Sequence, residues 1–193
     1  IEGYYKDNYQ LVNINTTKIS PPAVETGSSI EEWEIKDFMY EKGHAYGGDI
    51  SMKYSKKRFM VNGSYSYGLV SIENEALTYH PHYDRRHNLN LTLSYFADKS
   101  KSTVVDLRYN YGSGFPFAQI IGRYEGVDID GANVNYITIN GKPIELYDAP
   151  DSGRLPPFAR LDASITKTLK FKNDRLLELN LTITNLLNRK NIF

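Results

Sequence analysis

Three histidines near the middle of the chain have the most obvious capacity for chemistry. His80 and His82 flank Pro81, and His87 follows five residues later. Imidazole is a common protein ligand for zinc and iron, so this group could contact a metal ion or a haem iron. The chain has no Cys, however, and no tight cluster of carboxylates lies beside the histidines. We therefore predict a solvated loop here, without a bound metal or cofactor.

Two other patterns in the chain could indicate a site. Residues 128–133 read Asp-Ile-Asp-Gly-Ala-Asn, which begins like a calcium-binding loop but lacks the Glu expected at the twelfth position. A turn rich in Asp and Gly explains this segment. The pair Asp84 and His87 is the only hint of a hydrolytic cluster, and no nucleophile accompanies it. These patterns predict that the chain is not an enzyme.

Composition excludes some classes of partner and structure. The formal net charge of the 193 residues is zero, which gives no electrostatic basis for binding nucleic acid. No apolar run approaches the ~18–20 residues that a membrane-spanning helix needs. The chain is also rich in tyrosine, with 16 Tyr and 8 Phe but one Trp. The positions of these aromatic residues matter for the prediction of the fold.

Apolar and polar residues alternate with period two in at least six segments. The clearest is residues 88–95, Asn-Leu-Asn-Leu-Thr-Leu-Ser-Tyr. Successive side chains of a strand point to opposite faces, so such a segment has one apolar and one polar face. The same alternation occurs in segments 46–54, 59–67, 103–111, 160–169 and 176–185. No window of similar length follows the helical period, so the chain is predicted to be all-β.

Short and long connections alternate along the chain. We predict strands near residues 1–12, 44–54, 58–71, 86–97, 102–113, 159–171 and 176–187. Tight polar turns at 55–57, 98–101 and 172–175 alternate with long connections at 13–43, 72–85 and 114–158. Two of these three exceed the ~12–15 residues usual in compact domains. This asymmetry is typical of outer-membrane barrels, which have short periplasmic turns and long extracellular loops.

Aromatic residues on the apolar face are predicted to form two rings. The residues next to long connections are Tyr46, Tyr65, Tyr67, Tyr109 and Tyr111, and those next to short turns are Tyr54, Phe59, Tyr95 and Phe171. Eight residues separate Tyr46 from Tyr54, which corresponds to ~27 Å along a strand. At a tilt of ~40° this spans ~20 Å, close to the ~25 Å apolar band of a barrel between its aromatic girdles. The polar face carries residues such as Asp106 and Asn180, which suit a hydrated lumen better than a dry core.

Five short motifs resemble the C-terminal barrel of TonB-dependent outer-membrane receptors, in that family's order. They are Ala45-Tyr46-Gly47-Gly48-Asp49, Tyr83-Asp84-Arg85-Arg86-His87, Tyr111-Gly112-Ser113-Gly114-Phe115-Pro116, Leu155-Pro156-Pro157-Phe158-Ala159-Arg160-Leu161-Asp162 and Asn185-Leu186-Leu187-Asn188-Arg189-Lys190-Asn191. Nothing resembles the plug domain or the TonB box of that family. We therefore expect residues 1–193 to be the C-terminal portion of such a barrel, without its plug and its first half.

The resemblance implies a role in uptake across the outer membrane. A receptor of this kind binds a scarce nutrient, such as a ferric siderophore, cobalamin or a glycan, and imports it with energy supplied through TonB. The expected partners are the outer-membrane bilayer, the small nutrient ligand and, through the missing N-terminal part, the TonB complex. The residues expected to face the ligand, in loops or at the rim, are His80, His82, Arg86, His87, Arg108 and Arg160.

The charged motif residues also have a purely structural interpretation. Asp84, Arg86, Arg160 and Asp162 are predicted at strand mouths, where charges of alternating sign could form cross-strand pairs. Pro116, Pro156 and Pro157 would end strand pairing, because proline cannot donate to the ladder. We favour a role in shaping the rim over direct contact with ligand.

Two other functional classes remain open. In a soluble lipocalin-like calyx the apolar face would point inward and bind a lipophile, although a 45-residue connection fits that fold poorly. An outer-membrane barrel enzyme would need a catalytic cluster at one rim. Solubility without detergent would favour the first class, and hydrolysis that is lost on substitution of Arg86 or His87 would favour the second.

Overall fold

The computed structural model describes residues 1–14, 37–74, 77–125 and 143–192. The chain there is entirely β-structure and connections, with no helix among these residues. The strands are β1 (Glu2–Ile14), β2 (Phe38–Lys56), β3 (Phe59–Glu73), β4 (Thr78–Tyr79), β5 (His87–Phe96), β6 (Thr103–Gly112), β7 (Pro116–Phe117), β8 (Ile120–Glu125), β9 (Pro143–Tyr147), β10 (Gly153–Arg154), β11 (Phe158–Lys170) and β12 (Leu176–Ile183). The all-β prediction is confirmed.

Seven long strands form one antiparallel sheet in the order β1-β2-β3-β5-β6-β11-β12. Each strand therefore lies beside its neighbour in the chain, apart from the short strands between them. Strand β4 pairs with the end of β3, and the pairs β7–β10 and β8–β9 form two small additional sheets. Within the described residues β1 and β12 are the edges of the main sheet and do not pair with each other, so these residues alone do not close a barrel.

The register aligns apolar residues from all seven long strands on one face. Tyr65 lies opposite Ile50 on one side and Leu89 on the other, and Leu89 in turn lies opposite Tyr111. Farther along, Leu93, Leu107, Ala163 and Ile183 form a continuous row across β5, β6, β11 and β12. In β1 a register shift between Asn8 and Leu11 returns Val12 and Ile14 to the same face, opposite Tyr40 and Phe38. Matched registers thus produce one apolar surface.

That apolar surface is not covered by any other part of the described chain. Leu181 keeps 65% of its surface exposed, Met52 58% and Ile50 50%. Only two apolar residues, Ile72 and Ala159, count as buried among those described. The sheet therefore does not pack its apolar face into a core of its own.

The polar face is held together by hydrogen bonds between opposite residues. Asn110 donates to Asn90 at 2.6 Å, Ser94 donates to Asp106 at 2.5 Å, and Asn180 donates to Thr166 at 2.7 Å. Each pair consists of direct cross-strand partners in the register. Cross-strand pairs of this kind contribute ~0.2–1 kcal/mol each, so the polar face also helps to fix the register.

Several boundaries differ from the sequence prediction. Strand β2 begins at Phe38 rather than near residue 44, because its first residues pair with the far end of β1. Strand β12 ends at Ile183 rather than near 187, since Asn185 and Asn188 take positive φ and turn the chain. The connections predicted as plain loops at 72–85 and 114–158 contain the short strands β4 and β7 to β10. All five of these extra strands have only two to six residues, too few for an alternation to show.

None of the described residues forms a helix long and apolar enough to cross a membrane.

Candidate functional site

A fully buried carboxylate, that of Asp84, organises the end of the sheet where the long connections lie. Its Oδ1 accepts a hydrogen bond from the backbone N–H of Val70 at 3.0 Å. Its Oδ2 accepts one from Nη2 of Arg154 at 2.7 Å and lies 3.5 Å from Nε of Arg86. The contact with Arg86 is an ion pair without hydrogen-bond geometry, because that Nε has no hydrogen-bond partner. Asp84 therefore joins two cations to the part of β3 that no longer pairs with β5.

Arg154 of β10 ties three connections together at this point. Besides its bond to the Asp84 carboxylate, its Nη1 donates to the carbonyl oxygens of Asp84 at 3.1 Å and Gly114 at 3.0 Å. A guanidinium group offers several donors in a rigid plane, which suits it to bridging separate segments. The connection after β3, the exit of β6 and strand β10 are thereby fixed to one another.

Two glycines make this close approach possible. A Cβ on Gly114 would lie 1.5 Å from the backbone oxygen of Leu155, and one on Gly112 would lie 1.6 Å from Nη2 of Arg85. The Arg85 guanidinium is 5.1 Å from the Phe115 ring centroid, a cation–π distance. Leu155 also donates its N–H to the Phe115 carbonyl at 2.9 Å. The Tyr-Gly-Ser-Gly-Phe-Pro and Leu-Pro-Pro-Phe motifs thus form one packed junction.

A polar cavity of about 310 Å³ opens beside the Asp84 cluster. The residues in its lining that have ionisable side chains are Tyr79, His80, Arg86, Asp151 and Arg154. Nδ1 of His80 lies 2.7 Å from the Val70 carbonyl oxygen, and because a carbonyl can only accept, Nδ1 carries the proton. In a neutral imidazole this leaves Nε2 as the acceptor nitrogen of the ring. The cavity offers cationic, anionic and neutral hydrogen-bonding groups to a polar ligand.

A second buried carboxylate, Glu41 of β2, lies next to this cavity and is 3% exposed. It accepts hydrogen bonds from the side-chain amides of Asn13 and Asn74, both at 3.1 Å. The Tyr79 hydroxyl lies 3.2 Å from both carboxylate oxygens. Burial and the negative charge of Glu41 raise the pKa of Tyr79 to about 12. The cluster links β1 and β2 to the connection that carries β4.

The structure brings only some of the predicted ligand-facing residues together. His80 and Arg86 line the cavity, whereas the His82 ring packs edge-on against Tyr83 at 5.2 Å. His87 lies on the apolar face, where its ring is 5.2 Å from that of Tyr67 and its Nδ1 is 2.8 Å from the Tyr65 hydroxyl. His87 is therefore not brought to the cavity.

The other two predicted residues, Arg108 and Arg160, lie on the polar face of the sheet. Arg108 is exposed in a separate polar cavity of about 360 Å³ that Asp106 and Asp162 also line. Arg160 donates through Nε to Asp162 at 2.8 Å, within one strand. The cross-strand ion pairs predicted for the motif charges are thus replaced by a pair within β11 and by the contacts of Asp84 with Arg86 and Arg154.

The Asn-Leu-Leu-Asn-Arg-Lys-Asn segment caps the edge of β11 beyond the end of β12. The Asn191 side chain accepts from the Ala159 N–H and donates to the Ala159 carbonyl, each at 3.0 Å, as a paired strand would. Asn185 donates its N–H to Asp162, and Leu186 donates to the Leu161 carbonyl. These contacts support the interpretation of the motif residues as shaping the rim.

Sequence reasoning did not identify Arg154, Glu41 or Tyr79 as members of this cluster. Arg154 lies in a segment predicted as loop, and Glu41 lies ahead of the predicted start of β2, so neither fell in an alternating window. Among the described residues no group of three or more His, Cys, Asp or Glu side chains is arranged to hold a metal ion. The calcium-like segment 128–133 lies outside the described residues.

Replacing the Asp84 carboxylate should cost far more than replacing one of its partners. We expect Asp84→Ala to lower the free energy of unfolding by about 3 kcal/mol, because it leaves Arg154 and the Val70 N–H without their partner. The matched variant Arg86→Ala should cost less, about 1 kcal/mol, since this half-buried side chain makes only a long contact with Asp84 and the Arg154 bond remains. Urea unfolding in detergent micelles, followed by circular dichroism, measures both. Equal losses in the two variants would contradict the central role of Asp84.

The raised pKa of Tyr79 predicts a loss of stability at alkaline pH. A group whose pKa is higher in the folded than in the unfolded chain contributes its full stabilisation below its unfolded value near 10. That contribution is then lost as the pH rises toward about 12. We expect Tyr79→Phe to flatten the dependence of the unfolding midpoint on pH between these values. An unchanged alkaline slope in the variant would show that Tyr79 does not carry the effect.

Comparison with known proteins does not identify this site. No protein-family model, no curated protein and no solved structure matches the chain. What can be proposed about its function therefore depends on its own residues, their arrangement and the five motifs.

Proposed function

We propose that this chain is the C-terminal part of a transmembrane β-barrel belonging to an outer-membrane TonB-dependent receptor. In this proposal the short turns face the periplasm and the long connections face the outside. The whole receptor binds a scarce nutrient and imports it with energy supplied through TonB. Its role is transport, and no catalytic step is assigned to it.

The observation that carries the proposal is the exposed apolar face of the seven-stranded sheet. The register aligns apolar residues from every long strand on one face, yet Leu181, Met52 and Ile50 remain half exposed or more. Contiguous apolar surface of this extent is rare on soluble monomers and marks a surface that something else covers. Acyl chains cover such a surface in a barrel, whose strands alternate apolar outward and polar inward.

The hydrogen-bonded polar face supports the same arrangement. Asn90, Asp106 and Asn180 bond directly across the strands, and Arg108 and Asp162 line an open polar cavity. Charged groups without close partners are costly in a dry interior, so this face suits a water-filled lumen. A lipocalin-like calyx would need these residues outside and the apolar face inside.

Within the proposal, the cavity beside Asp84 is where a nutrient would be bound at the outer rim. His80, Arg86 and Asp151 offer an imidazole, a cation and a carboxylate within one cavity. The contacts of Arg154 fix the connections that carry these groups. Such fixing reduces the ordering cost that a ligand would otherwise have to overcome on binding.

Spin labels can test which face contacts lipid, because the chain has no native Cys. We expect a nitroxide at Leu91→Cys or Leu181→Cys to be relaxed mainly by oxygen, which partitions into acyl chains. A nitroxide at the neighbouring Asn90→Cys or Asn180→Cys should be relaxed mainly by a water-soluble nickel complex. Reversal of this pattern in reconstituted bilayers would exclude the barrel arrangement.

Uptake assays test the transport role separately. A strain that lacks the gene should lose uptake of one of three labelled nutrients, namely a ferric siderophore, cobalamin or a glycan, and the intact gene should restore it. Because TonB transmits energy from the proton-motive force, a protonophore should abolish the restored uptake. Uptake that persists with the protonophore would argue against the TonB-driven mechanism, even if the chain spans the membrane.

A further inference from the structure

Positive charge is concentrated at the end of the sheet that carries the short turns. Residues 55–58, 98–101 and 172–175 contain seven Lys or Arg residues and two Asp, in a chain whose net charge is zero. The long strands are antiparallel neighbours, so these three turns all lie at the same end of the sheet. This end is therefore a basic rim, defined here by residues 55–58, 98–101 and 172–175.

One of these turns lies beside a cavity that combines basic and aromatic side chains. The cavity has a volume of about 360 Å³, and its lining consists of Tyr54, Lys56, Lys57, Arg58, Phe59 and Tyr95. The three aromatic residues belong to the apolar face, and the ring centroids of Phe59 and Tyr95 are 4.8 Å apart. The cavity thus opens from the apolar surface toward the charged turn, and we call it the turn cavity.

The basic residues of the turn cavity are available to an anion. Arg58 is half-buried and donates through Nη1 to the Ala97 carbonyl at 3.2 Å, so it is positioned against the next hairpin. Lys56 and Lys57 are exposed, and neither side-chain ammonium group makes a hydrogen bond or ion pair with the residues that the structure describes. Lys56 lies opposite Phe59 in the register and so projects from the apolar face.

The second short turn, residues 98–101, differs from the first in the availability of its positive charge and in the face toward which that charge points. Asp98 accepts hydrogen bonds there from Ser100, Ser102 and the Thr103 N–H, and Lys167 Nζ lies 3.9 Å from it. Lys101 lies 5.2 Å from the centroid of Phe96, which belongs to the polar face. Positive charge in this turn is therefore partly balanced by Asp98 and is directed away from the apolar surface.

We propose that the turn cavity binds the headgroup phosphate of an anionic membrane phospholipid. Lys56 and Lys57 would contact the phosphate oxygens, and Arg58 would add a fixed positive charge. Tyr54, Phe59 and Tyr95 would pack against the glycerol backbone and the first carbons of the acyl chains, as amphipathic rings do at membrane interfaces. The inference rests on the proposed membrane location, which brings this end of the sheet to the level of the headgroups.

The apolar part of the turn cavity favours a lipid over free phosphate. A soluble phosphate ion would use the basic groups alone and leave three aromatic rings in contact with water. A phospholipid satisfies both parts at once, because its phosphate is joined to acyl chains that continue along the apolar face. Long lysine stems can lie along this surface while their ammonium groups reach the phosphate.

Native mass spectrometry of the full chain tests the proposal. The chain is reconstituted with equal amounts of phosphatidylglycerol and phosphatidylcholine, and the ratio of the two lipids retained is measured. We expect phosphatidylglycerol to be preferred, and the double variant Lys56→Gln/Lys57→Asn to reduce that preference on the order of tenfold, since each basic group contributes to anionic-lipid binding. Asn is chosen at Lys57 because φ there is 53° and Asn tolerates that region.

A matched control separates the turn cavity from general charge. Lys99→Gln/Lys101→Asn removes the same charge from the second turn, where Lys101 also has positive φ (55°). We expect this control to retain the preference within about twofold, because these lysines do not line the turn cavity. Equal losses in the two double variants would overturn the assignment to this cavity.

Two further outcomes would overturn the proposal without ambiguity about its cause. Displacement of the lipid by millimolar glycerol phosphate would show that the turn cavity takes the phosphate alone. Absence of any preference for phosphatidylglycerol would reject the lipid site while leaving the barrel intact, provided that a label at Leu91→Cys is still relaxed by oxygen. If that label is shielded from the bilayer, the proposed function itself fails.

Discussion

The strand register is the constraint on which the rest of this structure depends. Because side chains alternate with period two, a slip of one residue in any long strand would move its apolar set to the polar face. The tight turns help to prevent such a slip. Lys57 and Lys101 take positive φ in the first two short turns, and Asn173 and Asp174 do so in the third. Pairs such as Asn90–Asn110 then reinforce the alignment with side-chain hydrogen bonds.

At the opposite end of the sheet, side chains rather than neighbouring strands form hydrogen bonds to some backbone groups of β3 and β11. The N–H and carbonyl of Val70 are bonded by Asp84 and His80, and those of Ala159 are bonded by Asn191. Unpaired backbone groups are costly when they are shielded from water, so these contacts satisfy β3 where its pairing with β5 has ended and β11 where its pairing with β12 has ended. Arg154 fixes the relative positions of the long connections, which is why its bonds reach both Asp84 and Gly114.

The sequence was sufficient to predict the features that follow from alternation. All seven long strands were predicted, and six of them, with their apolar face, follow from a local alternation such as that of Leu89, Leu91 and Leu93. The start of β2 was predicted too late, because Lys42 and His44 interrupt the apolar positions there and pairing with β1 decides the outcome. The Asp84–Arg154 contact joins residues 70 positions apart in the chain. No local pattern records such a contact, so only part of the candidate site was predicted.

The exposed face and the free edges of the sheet impose linked requirements on the proposal. If lipid covers Leu91 and Leu181, the backbone groups along the outer edges of β1 and β12 lie at the same depth. An unpaired N–H or carbonyl in hydrocarbon costs several kcal/mol, so a membrane-spanning sheet has to pair both of its edges. In the proposed receptor these edges pair with further strands of a larger barrel. A soluble sheet would face no such demand, since water can satisfy its edges, but it would still have to cover the apolar face. If the apolar face contacts lipid, both edges of the sheet must therefore be paired. If the edges are unpaired, the sheet cannot span a bilayer.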